Sequence, residues 1–144
     1  LIAADPHLQR AVSFTGFTAD LVTTLRATDV LVCASDFESF GMAHLEAMAC
    51  AVPVVSTNVG GPAETVIEGQ TGYLVPPRDP AALAAAVRRL LDDPNLRARL
   101  GQAGREHVLK NLDVRLYAAR FAEVLAGVIG GAVVPAPPTR AKPA

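Results

Sequence analysis

The stretch Val30-Leu31-Val32-Cys33 narrows most sharply what this chain can become. Four apolar residues in a row, with no polar alternation, have no face to offer water. Such a run suits a strand covered on both sides, as in parallel sheets. Pro53 to Ser56 reads as the next strand of this kind, and Gly72 to Val75 as a further one after a Gly-rich loop. Between them Gly41 to Cys50 reads as a helix with Leu45, Met48 and Ala49 facing inward. Strands alternating with helices argue for an α/β fold, a parallel sheet with helices on both faces. Ligands of such sheets bind beyond the carboxyl ends of the strands, so the segment after Cys33 is where chemistry is expected.

The flanks extend the pattern. Ala11 to Phe14 is a short apolar run closed by Gly16, which predicts a strand and a turn. Thr18 or Asp20 can cap a helix carrying Leu21, Leu25 and Ala27. Asp79 and Pro80 start an amphipathic helix through Leu83, Val87, Leu90 and Leu91. Pro94 and Asn95 interrupt it, and Leu96, Leu100, Ala103 and His107 continue on a second. Tyr117, Phe121, Val124, Leu125 and Val128 mark a third. Asp92-Asp93 and the arginines Arg88, Arg89, Arg97, Arg99 and Arg105 read as solvated charges on helix surfaces.

Composition removes several function classes. A net charge of -1 gives no basic surface for nucleic acid or anionic lipid. No apolar run is long enough for a membrane span, and Asp5 and Pro6 interrupt any signal-peptide core, leaving the cytoplasm as the default, with its membrane surface open to a peripheral protein. Cys33 and Cys50 read as buried free thiols. His7, His44 and His107 have no metal-ligand spacing, and His44 reads as packing or surface. Residue 1 is Leu, and the chain opens as if mid-fold, so the expectation is that an N-terminal portion lies outside it.

The segment after the first buried strand is Ala34-Ser35-Asp36-Phe37-Glu38-Ser39-Phe40-Gly41-Met42-Ala43-His44-Leu45-Glu46-Ala47-Met48-Ala49. A Gly opening a helix lets a ligand approach the backbone. The free N–H groups of that first turn and the helix dipole favour an anion such as a diphosphate. Glu46 lies about 7.5 Å further along the axis, a reasonable reach from a phosphate to a ribose whose hydroxyls a carboxylate can accept. Glu38 precedes the helix, on the other side of the anion site, where a sugar would project.

These residues resemble the C-terminal domain of the family 4 retaining glycosyltransferases, which have the GT-B fold of two Rossmann-like domains facing a cleft. The likeness runs roughly over residues 12 to 126. It rests on Phe14-Thr15-Gly16, Ala34-Ser35, the E-x7-E pair Glu38 and Glu46 around Phe40-Gly41, and Leu45-Glu46-Ala47-Met48-Ala49. Pro53-Val54-Val55, Gly60-Gly61 with Glu64, and Gly69-x-Thr71-Gly72-x-Leu74-Val75 add to it. Any one of these is weak alone; together, in this order, they are specific.

The resemblance implies roles position by position. Glu38 would bind hydroxyls of the donor sugar and act as the catalytic electrostatic residue, not as a nucleophile. The backbone at Ser39, Phe40, Gly41 and Met42 would approach the sugar and its phosphates, and Glu46 would bind the ribose. Gly16, Phe17, Gly60, Gly61 and Glu64 are weaker site candidates; Glu64 serves equally well as a helix cap. The donor would be a nucleotide-sugar such as a UDP- or GDP-sugar, and the acceptor a sugar, a lipid-linked or another small molecule. Transfer of a hexosyl unit, in carbohydrate biosynthesis, would retain configuration without metal or other cofactor.

On this reading residues 1–129 form the C-terminal nucleotide-sugar-binding domain, lacking its first strands, and 130–144 a flexible Pro/Ala-rich tail. The family's diphosphate-binding Arg and Lys and its catalytic His would lie before residue 1, in the missing N-terminal portion. Two carboxylates near a diphosphate without those cations cost about 2 to 4 kcal/mol per pair at roughly 4–8 Å. Ala51 stands where the family usually has Gly, a harmless change if its φ is negative. The rival reading is a non-catalytic nucleotide or nucleotide-sugar binding module. A dehydrogenase would carry G-x-G-x-x-G after its first strand, and none is present.

Overall fold

The computed structural model describes residues 5–130; the tail expected at 130–144 lies outside them but for Gly130. Its elements are α1 (Pro6–Ala11), α2 (Leu21–Arg26), β1 (Leu31–Cys33), α3 (Met42–Ala49), β2 (Val54–Thr57), α4 (Pro62–Thr65), β3 (Gly72–Val75), α5 (Pro80–Asp92), α6 (Pro94–Asn111) and α7 (Val114–Ile129). The strands form a parallel sheet in the order β1-β2-β3.

Register and side-chain alternation divide the core in two. Leu31 pairs with Val54, and both face the cluster of Leu25, Leu45, Met48, Val66 and Val108. One residue on, Val55 pairs with Tyr73, and both face Leu90 and Leu100 on the other side. Every residue of β2 is buried. Fully burying a Val or Leu side chain contributes about 1.5–3 kcal/mol, so this central strand is the main apolar anchor of the sheet.

Aspartates set the helix starts. Asp79 Oδ1 accepts from the Ala82 amide and Asp93 Oδ1 from the Leu96 amide, both at 2.9 Å, with a proline at the next position. Asp93 is exposed, as expected of a solvated charge, and is also a helix cap. Two arginines also do more than decorate. Arg97 donates to the Leu90 carbonyl at 3.1 Å, ending α5, and pairs with Asp29 at 3.2 Å. Arg105 donates to the Ala49 carbonyl at the end of α3.

The strand expected at Ala11 to Phe14 is not formed. Ala11 ends α1, and Val12 to Phe17 lie exposed, Phe14 at 84% and Phe17 at 96%. A strand needs a neighbour to pair its amides and carbonyls. Among the described residues β1 pairs with β2 alone and leaves its outer edge to solvent. The apolar side expected at Tyr117, Phe121, Val124, Leu125 and Val128 does lie on one helix, α7, but no residue of α7 is buried.

The α3–β2 turn corrects the expectation for Ala51, whose φ is 61°. A left-handed L-residue costs about 1–2 kcal/mol. The turn persists because the Ala51 amide donates to the Met48 carbonyl at 2.9 Å and α6 presses on its carbonyl through Gly101. Ala51→Gly should stabilise the fold by about 0.5–1 kcal/mol, because glycine's extra unfolded-state freedom offsets part of the relieved strain. Equilibrium urea unfolding measures it; a lower midpoint with unchanged slope would contradict the strain.

Candidate functional site

The site grows from the carboxyl ends of β1 and β2. Thr57 Oγ1 donates to the Ser35 carbonyl at 2.6 Å, tying the two strand ends together. The loop from Ser35 then meets the loop after β2 backbone to backbone. The Gly61 amide donates to the Glu38 carbonyl at 3.0 Å. A Cβ on Gly60 would stand 1.9 Å from that same oxygen, and one on Gly61 2.3 Å from Phe40 Cα. Only glycine fits at either place. This pair therefore builds the loop that carries Glu38, which is a contact the sequence did not reveal.

Glu38 folds back on the start of α3. Its Oε1 accepts from the Gly41 amide at 3.0 Å and the Phe40 amide at 3.3 Å. Gly41 caps the helix at φ 84° and ψ 51°, a left-handed conformation that favours glycine. The Gly41 carbonyl accepts the His44 amide, which leaves the first-turn amides of Met42 and Ala43 without helical partners. The Phe40 and Met42 side chains are exposed beside this opening, and Ser39 lies between Glu38 and Phe40.

Glu46 is half-buried on the same helix. Among the described residues, no hydrogen bond or ion pair engages its carboxylate. Glu64 is exposed in the first turn of α4, directly after the Gly60-Gly61 turn. Gly16 has φ 65° with open space around it, and neither it nor Phe17 contacts the Glu38 loop through a hydrogen bond. Glu38, Phe40, Gly41, Gly60 and Gly61 are thus drawn together, Glu46 and Glu64 follow on adjoining helices, and no hydrogen bond ties Gly16 or Phe17 to them.

Some of the local polar structure was not anticipated. His44 is fully buried, with Nε2 2.9 Å from Ser56 Oγ and Nδ1 3.3 Å from the Gly41 carbonyl. Burial pushes this imidazole below its ordinary value of 6.5, against smaller upward pulls from the Gly41 carbonyl and Glu38. Ser56, the polar residue following Val54-Val55 in a buried strand, was the available signal. Arg78, at φ 61°, pairs with Asp36 at 3.1 Å across the strand ends and holds that carboxyl below the usual range. Cys33 and Cys50 are free and partly buried. Among the described residues no three His, Cys, Asp or Glu side chains are grouped to hold a metal, and no helix is long and apolar enough to cross a membrane.

The chain is similar to known proteins in sequence and fold. The family model described as "Glycosyl transferases group 1" matches residues 1–107. The glycogen synthase of Mycobacterium tuberculosis is 40% identical over 130 residues, covering 89% of this chain and 31% of that protein. The solved sucrose-phosphate synthase of Thermosynechococcus elongatus superposes with a TM-score of 0.83 at 37% identity, over 88% of this chain and 32% of that one. Anabaena HepE in complex with UDP-glucose superposes at 0.82 with 30% identity, over 88% and 35%. The chain thus spans about a third of the length of these relatives. Its parallel sheet, covered by helices on both faces, matches the Rossmann-like half of the GT-B fold in these solved structures. With the family model matching well over half its length, this chain belongs to the group 1 glycosyl transferases.

Proposed function

We propose that this chain is the donor-binding half of an enzyme that transfers a hexosyl unit from a nucleotide-sugar with retention of configuration. The observation that carries the reading is the division of labour at the start of α3. Glu38 Oε1 is pinned by two amides, Glu46 is unengaged further along, and the first-turn amides of Met42 and Ala43 lie between them. A diphosphate fits those amides and the helix dipole. Glu46 then takes the ribose hydroxyls, and the second oxygen of Glu38 takes a sugar hydroxyl. The UDP-glucose held by the Anabaena relative supports a nucleotide-sugar, and a UDP- or GDP-sugar is the class assigned.

In a retaining transfer on one face, the sugar gains positive charge as the phosphate leaves. Glu38, already fixed by its amide bonds, stabilises that charge without reorganising, the condition under which electrostatic catalysis is strongest. The helix start stabilises the leaving diphosphate, so no metal or other cofactor is assigned. A second Rossmann-like domain outside this chain supplies the acceptor wall, its acceptor a sugar, a lipid-linked or another small molecule. The enzyme is placed in the cytoplasm or on its membrane surface.

The two carboxylates should separate cleanly in the whole protein. Glu46→Ala should weaken UDP and GDP binding by roughly 1.5–3 kcal/mol, the worth of hydrogen bonds to a charged group. Glu38→Gln should lower turnover far more than free-nucleotide affinity. Calorimetry and initial rates decide it: unchanged affinity in the first variant removes Glu46 from the site, and equal losses in the second displace Glu38 from the sugar. Transfer should also survive excess EDTA; activity lost and restored by Mg²⁺ or Mn²⁺ would sink the metal-free mechanism. Residues 1–144 alone should turn over no donor, since a cleft with one wall neither positions the acceptor nor excludes water. Measurable transfer by that span would place the whole machinery within it, and failure of the whole protein to transfer any sugar would favour a binding module.

A further inference from the structure

One buried polar network has no part in the donor contacts assigned above. His44 has no exposed surface, yet both ring nitrogens have partners from different elements. A carbonyl only accepts, so the contact to Gly41 places the proton on Nδ1. The Ser56 hydroxyl then donates to Nε2 at 2.9 Å, closer than its alternative acceptor, the Thr57 carbonyl at 3.2 Å. Every polar atom of this neutral ring is satisfied, as burial demands.

The consequence falls on Gly41. Glu38 holds its amide at 3.0 Å. Its carbonyl accepts the His44 and Leu45 amides at 3.0 and 3.3 Å, and the His44 ring adds a third contact at 3.3 Å that ties it to another element. The ring also packs against the residue: a Cβ on Gly41 would stand 2.6 Å from Nδ1. Glycine has more backbone freedom than any other residue, so a left-handed entry into a helix stays in place only if something holds it. Here the holding group is anchored in β2, the most buried strand.

We propose that His44 is a positioning residue for the donor: by fixing the Gly41 peptide to β2, it aims the amides of Met42 and Ala43 at the diphosphate. The inference rests on the reading of the α3 start as the diphosphate site. Ser56 is its necessary second half, because it fixes the ring's orientation from β2.

The test titrates UDP and GDP by calorimetry into the whole protein and its variants, with a thermal midpoint for each. His44→Phe keeps an aromatic ring but cannot donate to Gly41, and should weaken nucleotide binding about tenfold. His44→Gln carries an amide able to donate to that carbonyl and should recover most of the loss. Leu100→Val, in the core on the other face of the sheet, should lower the thermal midpoint and leave affinity alone. Wild-type affinity in His44→Phe would overturn the proposal, as would failure of His44→Gln to recover binding. Equal weakening by Leu100→Val at a matched midpoint would overturn it too. Should His44→Phe not fold, Ser56→Ala carries the test: binding about threefold weaker supports the proposal, and unchanged binding overturns it. Glu46→Ala keeps the two readings apart. If that variant loses affinity and His44→Phe does not, the inference alone fails. If Glu46→Ala binds like wild type, or the wild type binds neither nucleotide, the donor site falls and takes the inference with it.

Discussion

The candidate site depends on a backbone-to-backbone contact between two loops at the carboxyl edge of the sheet. Gly60 and Gly61 lie so close to Glu38 and Phe40 that a single added carbon at either position would sit inside another atom. The Gly61–Glu38 hydrogen bond closes the contact. Everything downstream inherits its geometry: the turn of Glu38 onto its own loop amides, the left-handed Gly41, and the first open amides of α3. The contact is itself fixed by register. β1 and β2 end side by side, with Cys33 opposite Ser56, so their exit loops have no choice but to meet.

Much of this was legible because apolar continuity and aspartate-proline pairs are strong local signals. Val30 to Cys33 and Pro53 to Ser56 announced strands, and Asp79-Pro80 a helix start, each within a residue or so of where the structure has it. Of these two strands only β2 is buried: β1, expected to be covered on both faces, has no buried residue, and Val32 is 44% exposed at the edge of the sheet. Ala11 to Phe14 failed for a reason that propensity does not encode. A strand exists only with a partner, and no run of side chains reports whether one is present. Ala51 is a different case. Its backbone sign is imposed by Met48 on one side and the approach of Gly101 on the other, a tertiary demand on a residue that prefers the opposite φ.

For the candidate site, sequence pattern located the residues but not their partners. Glu38, Gly41 and Glu46 stood out by spacing, and the family likeness gave them roles. That Gly60 and Gly61 serve the Glu38 loop is visible only in the fold, since a glycine's missing side chain says that something is close, never what. In the sequence His44 reads as packing or surface, because the family it resembles admits many residues at that position. Its importance lies in Ser56, twelve residues away on another element, and in the Gly41 carbonyl, which no side-chain pattern displays.

Electrostatics then raises a difficulty that the geometry partly answers. A carboxylate set beside a diphosphate is repelled by about 2 to 4 kcal/mol at roughly 4–8 Å, more than one ordinary hydrogen bond returns. Glu38 meets this with two amide donors on one oxygen, so part of its charge is neutralised before any ligand arrives. Arg78 lies near the same strand ends, but Asp36 already occupies it, and both side chains are exposed, so this pair adds little stabilisation and little net field. The local compensation for Glu38 is therefore backbone, not side chain. Backbone dipoles cannot be moved without moving the loop. That is why the interlock of Gly60 and Gly61, and the grip on Gly41 from both ends of its peptide, bear on charge as much as on shape.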